Sequence, residues 1–520
     1  IADVTGDMSG NCPTDVDPAD YALRDAIMAN PNCYIHNEQA PGGYTPRFVG
    51  NITDTSFTAG TRGEITGGNM DGVRYDISGS VGRNQADFGL NNTFNPSMGP
   101  DSKRDFTTGS YIQLEKTFNL DLQKQYDNTS IAGGAEWRET TFEVISGEEA
   151  SWKVGKYAAQ GFNIGSHGFA GFSPDSAGAF SRRNYAMYLD VESQLTDTLL
   201  VGGALRYEDY TSFGDTANYK VTFNQQMSDN LAIRGSHSTG FRAPTQGQAN
   251  VVNTQTTLVG GELTQAQTLP SFKLGAGQLQ PEESTSYAFG LVMTLGEVEV
   301  TADWFKIEVE NRIALTSNAD TTAAQRSAMA AAGVPNPELI GQVNYFTNDF
   351  NTDTQGLDIV ATYGADLFGG STDFSAAYNM TDTKVSSQGS ATSDSKVKRL
   401  EEGLPNHRAT FTMAQSWENV NAFVRANYFG EYYAVHADWF GTEADAAVTV
   451  DMEVTYSIND SFDVSVGAQN LFDQDAERID GSAGAVAEGV TGNVLGAIFY
   501  ETSPMGIEGS YWYVKAGYNF

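Results

Sequence analysis

Apolar and polar residues alternate with a period of two through most of this chain. Its last dozen residues show the pattern clearly: Trp512, Val514, Ala516, Tyr518 and Phe520 fall on one face, and Tyr511, Tyr513, Lys515, Gly517 and Asn519 on the other. The same grammar recurs at Val73, Tyr75, Ile77 and Val81, at Ile131, Gly133, Ala135 and Trp137, at Tyr185, Met187, Leu189 and Val191, and at Leu357, Ile359, Ala361 and Tyr363. A half-buried strand of a soluble sandwich alternates in this way too. About seventeen such segments can be counted, however, far more than an ordinary sheet holds. In the longest stripe, Val448 to Ile458, the carboxylates Asp451 and Glu453 stand directly behind apolar positions. Hydrocarbon outside and a wet lumen inside would require this arrangement, so the pattern predicts an all-β fold, a transmembrane antiparallel β-barrel of about seventeen strands.

The connections predict an orientation. Tight ones at Asn69 to Asp71, Thr196 with Asp197, Ser228 with Asp229, Gly296, Trp417 with Glu418, and Asn459 with Asp460 alternate with long ones, roughly 85–106, 146–181, 241–283, 311–350, 383–405 and 472–508. A short connection near Ser212 to Thr216 breaks the rule. Outer-membrane barrels have short periplasmic turns and long outer loops, so the long segments are expected outside. Parity then places residues 1–56 in an extracellular loop and the barrel strands in 57–520. About seventeen is an odd count, whereas bacterial single-chain barrels use even ones. The expectation is part of a 22-stranded barrel, the size of the plugged transporters, with its remaining N-terminal strands upstream or on a separate polypeptide.

Composition narrows the function classes. Sixty-five Asp and Glu against 30 Lys and Arg give a net charge of −35, which argues strongly against nucleic-acid binding, because the phosphate backbone would be repelled. Cys12 and Cys33 are the only cysteines. Between them Asp17 reads as an N-cap, Pro18 as the first helical position and Asn30-Pro31 as a stop, so a short helix in a disulfide-closed loop is predicted, with two free thiols as the alternative. A disulfide implies an oxidising compartment.

Several motifs remain. Ser238-Thr239-Gly240-Phe241-Arg242-Ala243-Pro244-Thr245 is followed by Leu279-Gln280-Pro281-Glu282-Glu283-Ser284. Further on come Asn351 to Asp358, Leu404-Pro405-Asn406-His407-Arg408, Gly467-Ala468-Gln469-Asn470-Leu471-Phe472-Asp473, and the ending Ser503-Pro504-Met505-Gly506 through Phe520. In this order, from about residue 60 to the end, the chain resembles the barrel of TonB-dependent receptors. The resemblance implies active import of a scarce solute (ferric siderophore, haem, cobalamin or saccharide) across the outer membrane of a Gram-negative bacterium, amid lipid and lipopolysaccharide. The energy would come from the TonB complex through an N-terminal plug that this chain lacks. Haem receptors of this kind carry a histidine between the paired boxes; none lies between Arg242 and Pro281, which disfavours haem. Arg242 could touch a solute, or it could close a strand end by pairing with a carboxylate beside Pro244, a ladder-breaking residue.

A ligand site is expected in the loops. Trp152, Lys153, Lys156, Tyr157, Phe162, His167, Phe169, Phe172, Arg182 and Arg183 form a basic, aromatic stretch suited to stacking on sugars or catecholates and to attracting anionic chelates. Tyr432, Tyr433, His436, Trp439 and Phe440 form a second. The alternative for each is loop packing or an aromatic girdle. A second loop helix, capped near Asp320 and stopped by Gly333 and Pro335, is expected to shape the outer vestibule. His36, His167, His237, His407 and His436 show no metal-ligand spacing, and no catalytic motif or cofactor-binding loop is present. The competing classes are a passive porin-like channel, with a charged constriction and no plug, and a surface adhesin.

Overall fold

The computed structural model describes residues 1–13, 20–259, 262–334, 336–436, 440–479 and 499–519. Its main body is a single sheet of seventeen strands curled into a barrel. In chain order these are β1 Arg47–Ile65, β2 Val73–Asn91, β3 Phe106–Gln125, β4 Thr129–Ser146, β5 Gly178–Thr196, β6 Leu199–Tyr210, β7 Gly214–Ser228, β8 Leu231–Arg242 and β9 Glu282–Leu295. They continue as β10 Val298–Leu315, β11 Phe346–Leu367, β12 Gly370–Gln388, β13 His407–Ser416, β14 Val420–Phe429, β15 Ala447–Asn459, β16 Phe462–Gln469 and β17 Tyr511–Tyr518. Each pairs antiparallel with its successor, as where Trp137 faces Tyr185 between β4 and β5. No described helix is long and apolar enough to cross a membrane.

The apolar stripes face outward. Tyr185, Met187 and Leu189 on β5, Leu205 and Tyr207 on β6, and Val448, Val454, Tyr456 and Ile458 on β15 are all exposed large hydrophobics, the surface that a bilayer covers. Behind them the lumenal face is polar: Glu453 accepts hydrogen bonds from Tyr513 Oη and Lys515 Nζ, both at 2.7 Å.

Strand ends differ from expectation. β1 begins at Arg47, about ten residues before the expected barrel boundary, because its Gly, Thr, Asn and Asp content hides its alternation while β2 supplies a nineteen-residue antiparallel partner. β11 and β12 also run further, to 22 and 19 residues. Roughly ten residues suffice to cross, so these strands project beyond the membrane band and shorten the loops.

The strand order is circular, with β17 beside β1. Among the described residues no paired register joins these two, and β1 is exposed along all but its last residue. Alternation over seventeen strands leaves β1 and β17 pointing the same way, so an antiparallel ladder cannot form between them. Their junction is a seam.

The long connections gather at one end. Phe169–Ala170, Asn253–Val259, Glu262–Thr268, Ala319–Asp320 and Gln342–Asn344, drawn from three connections, form a five-stranded sheet over the barrel mouth. Its core is Val252, Leu269, Leu274, Met329, Val334, Ile340 and Val343. Met329 belongs to the helix Ala323–Ala331, whose N-cap is Thr322 rather than Asp320; a capping box with Gln325 satisfies its first turn, and Gly333 follows at φ 73°. Pro335 lies outside the described residues.

The described residues among 1–46 pack at this same end. Asp3 N donates to Gln160 Oε1 at 2.8 Å and Gln160 Nε2 returns a bond to Asp3 O at 2.9 Å. Gln39 Nε2 donates to Pro100 O at 2.9 Å. Cys12 and Cys33 are joined by a disulfide. The helix it encloses is Tyr21–Met28, capped by Asp20, whose carboxylate accepts from Leu23 N. The expected cap and first position, Asp17 and Pro18, lie outside the described residues.

Candidate functional site

A chamber of about 690 Å3 opens in the lumen beneath the loop sheet. Period-two alternation builds it: with Tyr185, Met187 and Leu189 outward, Arg182 and Asn184 must point in, and with Trp137 outward, Glu136, Arg138, Thr140 and Phe142 point in. Arg206, Glu208 and Tyr210 join them from β6, Gln113 and Glu115 from β3, and Gly240, Phe241 and Arg242 from β8. The helix Gln246–Asn250, capped by Thr245 and closed by a capping box with Gln248, contributes Gln246 and Gly247 to its lining.

Four arginines converge here, but their charges are not equally satisfied. Arg206 is paired with Glu208, which is nearly fully buried and also accepts from Tyr210 Oη at 3.1 Å; Glu136 lies 3.5 Å from Arg206 and 3.0 Å from Arg138. Arg242 makes a two-pronged pair with Glu282. Arg182 has no carboxylate partner among the described residues. Its Nη1 donates to Pro244 O at 2.5 Å, and its guanidinium lies 5.2 Å from the Tyr210 ring and 5.8 Å from Phe213. The Arg138 Nε is buried without a hydrogen-bond partner. Arg138 and Arg182 are thus the cations with capacity left for an anion, in a chamber walled by Phe142, Tyr210 and Phe241.

The sequence-predicted ligand residues divide. Arg182 reaches the chamber. Arg183, its neighbour, points to the outer wall, where Glu139 pairs with it at 2.7 Å and with Lys116 at 3.0 Å. Tyr157 is buried against Ala2 and Tyr34, with Phe162 packed beside them. Phe169 and Phe172 are buried with Leu90 and Val144, and Phe172 stacks on Tyr111 at 4.7 Å. These four rings hold the loops together, so for them the packing alternative describes the observed contacts. Lys153 pairs with Glu149 at 2.8 Å and Lys156 with Asp101 at 3.4 Å. Trp152 Nε1 donates to Gly147 O at 3.1 Å, and the side chain borders a smaller cavity among the loops. Tyr432 is buried beside Ala434, Ala444 and Tyr500, while Tyr433 lies under Lys398 Nζ at 4.1 Å. Trp439 lies outside the described residues, as do the side chains of His436 and Phe440.

His36 and His167 sit in the packing of residues 1–46 on the loops. His36 stacks on Phe94 at 5.1 Å, with its Nδ1 3.2 Å from Tyr34 Oη; His167 Nδ1 is 2.9 Å from Tyr44 Oη. Burial, then the neighbouring His167, pulls the His36 pKa down to about 4, and burial lowers that of His167. Both are kept neutral.

The motif residues outside the chamber lining make local contacts, and Phe241 makes one within it. Phe241 packs edge-on to Tyr210 at 5.7 Å. Asn470 Nδ2 donates to Gln474 O and its Oδ1 accepts from Gln474 N, both at 2.9 Å, a closed turn that ends β16 beside Leu471 and the exposed Phe472. Pro281 immediately precedes β9. Phe520 lies outside the described residues. Sequence reasoning missed Arg138, Arg206, Glu208 and Tyr210, although the first three directly follow the outward residues Trp137, Leu205 and Tyr207.

Comparison with known proteins agrees with this geometry. The family model described as TonB dependent receptor-like, beta-barrel matches residues 12–471. No curated protein matches the chain. Among solved structures it is similar to the siderophore receptor PirA from Acinetobacter baumannii, with 13% identity and a TM-score of 0.60, over 91% of this chain and 63% of that one. It is also similar to a mutant of the ferric enterobactin receptor PfeA from Pseudomonas aeruginosa, with 13% identity, a TM-score of 0.62, and 91% and 62% covered. A third similar structure is the FrpB iron transporter from Neisseria meningitidis, with 11% identity, a TM-score of 0.58, and 91% and 64% covered. The chain spans less than two thirds of each of these proteins. At such identities the likeness is one of fold, whereas the family model covers most of the chain, and this chain belongs to the TonB-dependent receptor-like β-barrel family.

Proposed function

We propose that this barrel is the transmembrane part of an outer-membrane importer driven by TonB, and that its solute is an anionic chelate of the ferric siderophore kind. The observation that carries the reading is the chamber itself. Its volume lies within the roughly 300–1,000 Å3 of ligand sites, it stands under the loop sheet where a solute would enter, and Arg138 and Arg182 retain unpaired donors beside aromatic walls. A planar or catecholate-like anion stacks on such walls and accepts from guanidinium groups. A neutral saccharide would use the aromatic walls but not the cations.

In this reading residues 1–46, with their disulfide, are extracellular, and the β17–β1 seam is where further strands enter. Those strands and a plug that contacts TonB belong to a segment outside this sequence or to a separate polypeptide. The test is equilibrium binding of a ferric catecholate chelate to the receptor purified from its native membrane. Substituting both Arg138 and Arg182 by Gln is expected to weaken binding by roughly a hundredfold, two lost charge-assisted contacts of about 1.5 kcal/mol each. Unchanged affinity would remove the chamber from the account.

A further inference from the structure

The chamber holds one carboxylate that its arginines leave unused. Three glutamates at or beside its wall are in ion pairs: Glu208 with Arg206, Glu136 at 3.0 Å from Arg138 and 3.5 Å from Arg206, and Glu282 with Arg242. A fourth, Glu115 of β3, lines the chamber and makes no hydrogen bond or ion pair among the described residues. Its side chain is exposed, so a solute in the chamber can reach it.

 

Strand register fixes where Glu115 stands. It faces Thr140 across β3 and β4, and Thr140 faces Arg182 across β4 and β5, so one row carries Glu115, Thr140 and Arg182 into the lumen at the same height. Neighbouring strands are about 4.8 Å apart, which separates the Glu115 and Arg182 backbones by roughly 10 Å. That is about one Debye length in physiological salt, so neither charge satisfies the other. Arg138 lies two residues along β4 from Thr140, on the same face. The chamber therefore has a cationic side on β4 and β5 and an acceptor side on β3, where Gln113, two residues from Glu115 and also in the lining, adds a side-chain carbonyl.

We infer that the solute bound here is zwitterionic: an anionic chelating group is held by Arg138 and Arg182, and an ammonium group roughly 10 Å away is held by Glu115 and Gln113. An ammonium has three donors and no acceptor, which matches a carboxylate beside an amide carbonyl. A uniformly anionic chelate is repelled at Glu115, and a neutral one leaves the charges on both sides unused. Glu115 is thus the specificity-determining residue, attractive to one class of chelate and repulsive to the other. The inference rests on the import reading and deepens it, because it names the second charge of the solute held in that chamber.

Equilibrium titration of the full receptor, purified from its membrane, with two ferric complexes tests it. One ligand is lysine acylated on its α-nitrogen by dihydroxybenzoate, with its side-chain ammonium free; the other is the same molecule acetylated on that side-chain amine. The two share catecholate and carboxylate groups and differ in one positive charge. The ammonium form is expected to bind at least roughly tenfold more tightly. Glu115→Gln should bring the two forms within about threefold of each other, and Arg182→Gln should weaken both. Glu115 has no internal partner to lose, and unaltered thermal unfolding of the variant shows that it folds. The inference is overturned if the parent receptor binds both forms equally, or if the preference survives Glu115→Gln. Failure of the chamber reading looks different: neither form binds, or Arg182→Gln leaves both affinities intact, and the inference falls with it.

Discussion

Arg242 and Glu282, forty residues apart, face each other across the register of β8 and β9 and join the two sequence boxes into one strand corner. Glu282 is buried and also accepts from Ile313 N at 2.7 Å, so one carboxylate ties three strands together. Glu282→Ala would orphan the Ile313 N–H and the guanidinium at once. We expect a loss of about 1–3 kcal/mol, seen as a lower unfolding temperature in detergent, with Glu282→Gln milder because it still accepts from Ile313. Equal effects of the two variants would show that the carboxylate's charge matters and its hydrogen bond does not.

The disulfide should hold residues 1–46 to the loops. On the loop-entropy model, closure of a loop this short is worth roughly 3 kcal/mol. Cys12→Ser together with Cys33→Ser is expected to expose the segment to protease while the barrel stays folded, with the reciprocal Asp3 and Gln160 bonds lost first. Cleavage rates unchanged by the substitutions would contradict this.

Acid should release the same segment. His36 and His167 are buried and neutral, and the groups that face them are each other, the Ile1 ammonium, the Tyr34 and Tyr44 hydroxyls, Glu38 beside Tyr34, and the Arg104 guanidinium, 4.8 Å from the Phe94 ring. An opened imidazole titrates near 6.5, and that of folded His36 near 4. The folded form therefore refuses protons that the open form takes up, so stability is complete above about pH 6.5 and declines as the pH falls toward 4. Protease sensitivity of residues 1–46 should rise across that window. Replacing both histidines by Gln should flatten the rise, and an unchanged profile in that double variant would assign the acid response elsewhere.

Much of this fold could be read from alternation, because a bilayer enforces it: every stripe such as Tyr185, Met187 and Leu189 has hydrocarbon on one side and lumen on the other. β1 escaped that reading because Gly50, Asn51, Thr53, Asp54 and Thr55 carry little hydrophobic contrast, and its strand character comes from pairing with β2. The candidate site was legible in part. Arg182 and Arg183 are indistinguishable by type, and only the phase of β5 sends one inward and the other outward. Tyr157, Phe169 and Phe172 look like ligand aromatics in sequence, but loops of this length need a core of their own, and these rings supply it.

Arg182 offers a sharper test of the chamber than any aromatic. Arg182→Lys keeps the charge but loses the planar guanidinium that lies over Tyr210 and donates to Pro244 O. We expect a loss of roughly tenfold in ferric-chelate affinity, about 1.4 kcal/mol, with barrel stability within about 0.5 kcal/mol of the parent. Binding that tolerates Lys would mean that Arg182 acts only as a charge.

The central claim is energised import, and the most direct measurement is accumulation of a radiolabelled ferric chelate by cells that carry the native receptor, with and without TonB. The account predicts concentrative uptake that stops when TonB is deleted or the inner-membrane proton gradient is collapsed, and that falls when Arg138 and Arg182 are replaced. Uptake that continues unchanged without TonB, and only equalises the two sides, would contradict it and identify the barrel as a passive channel.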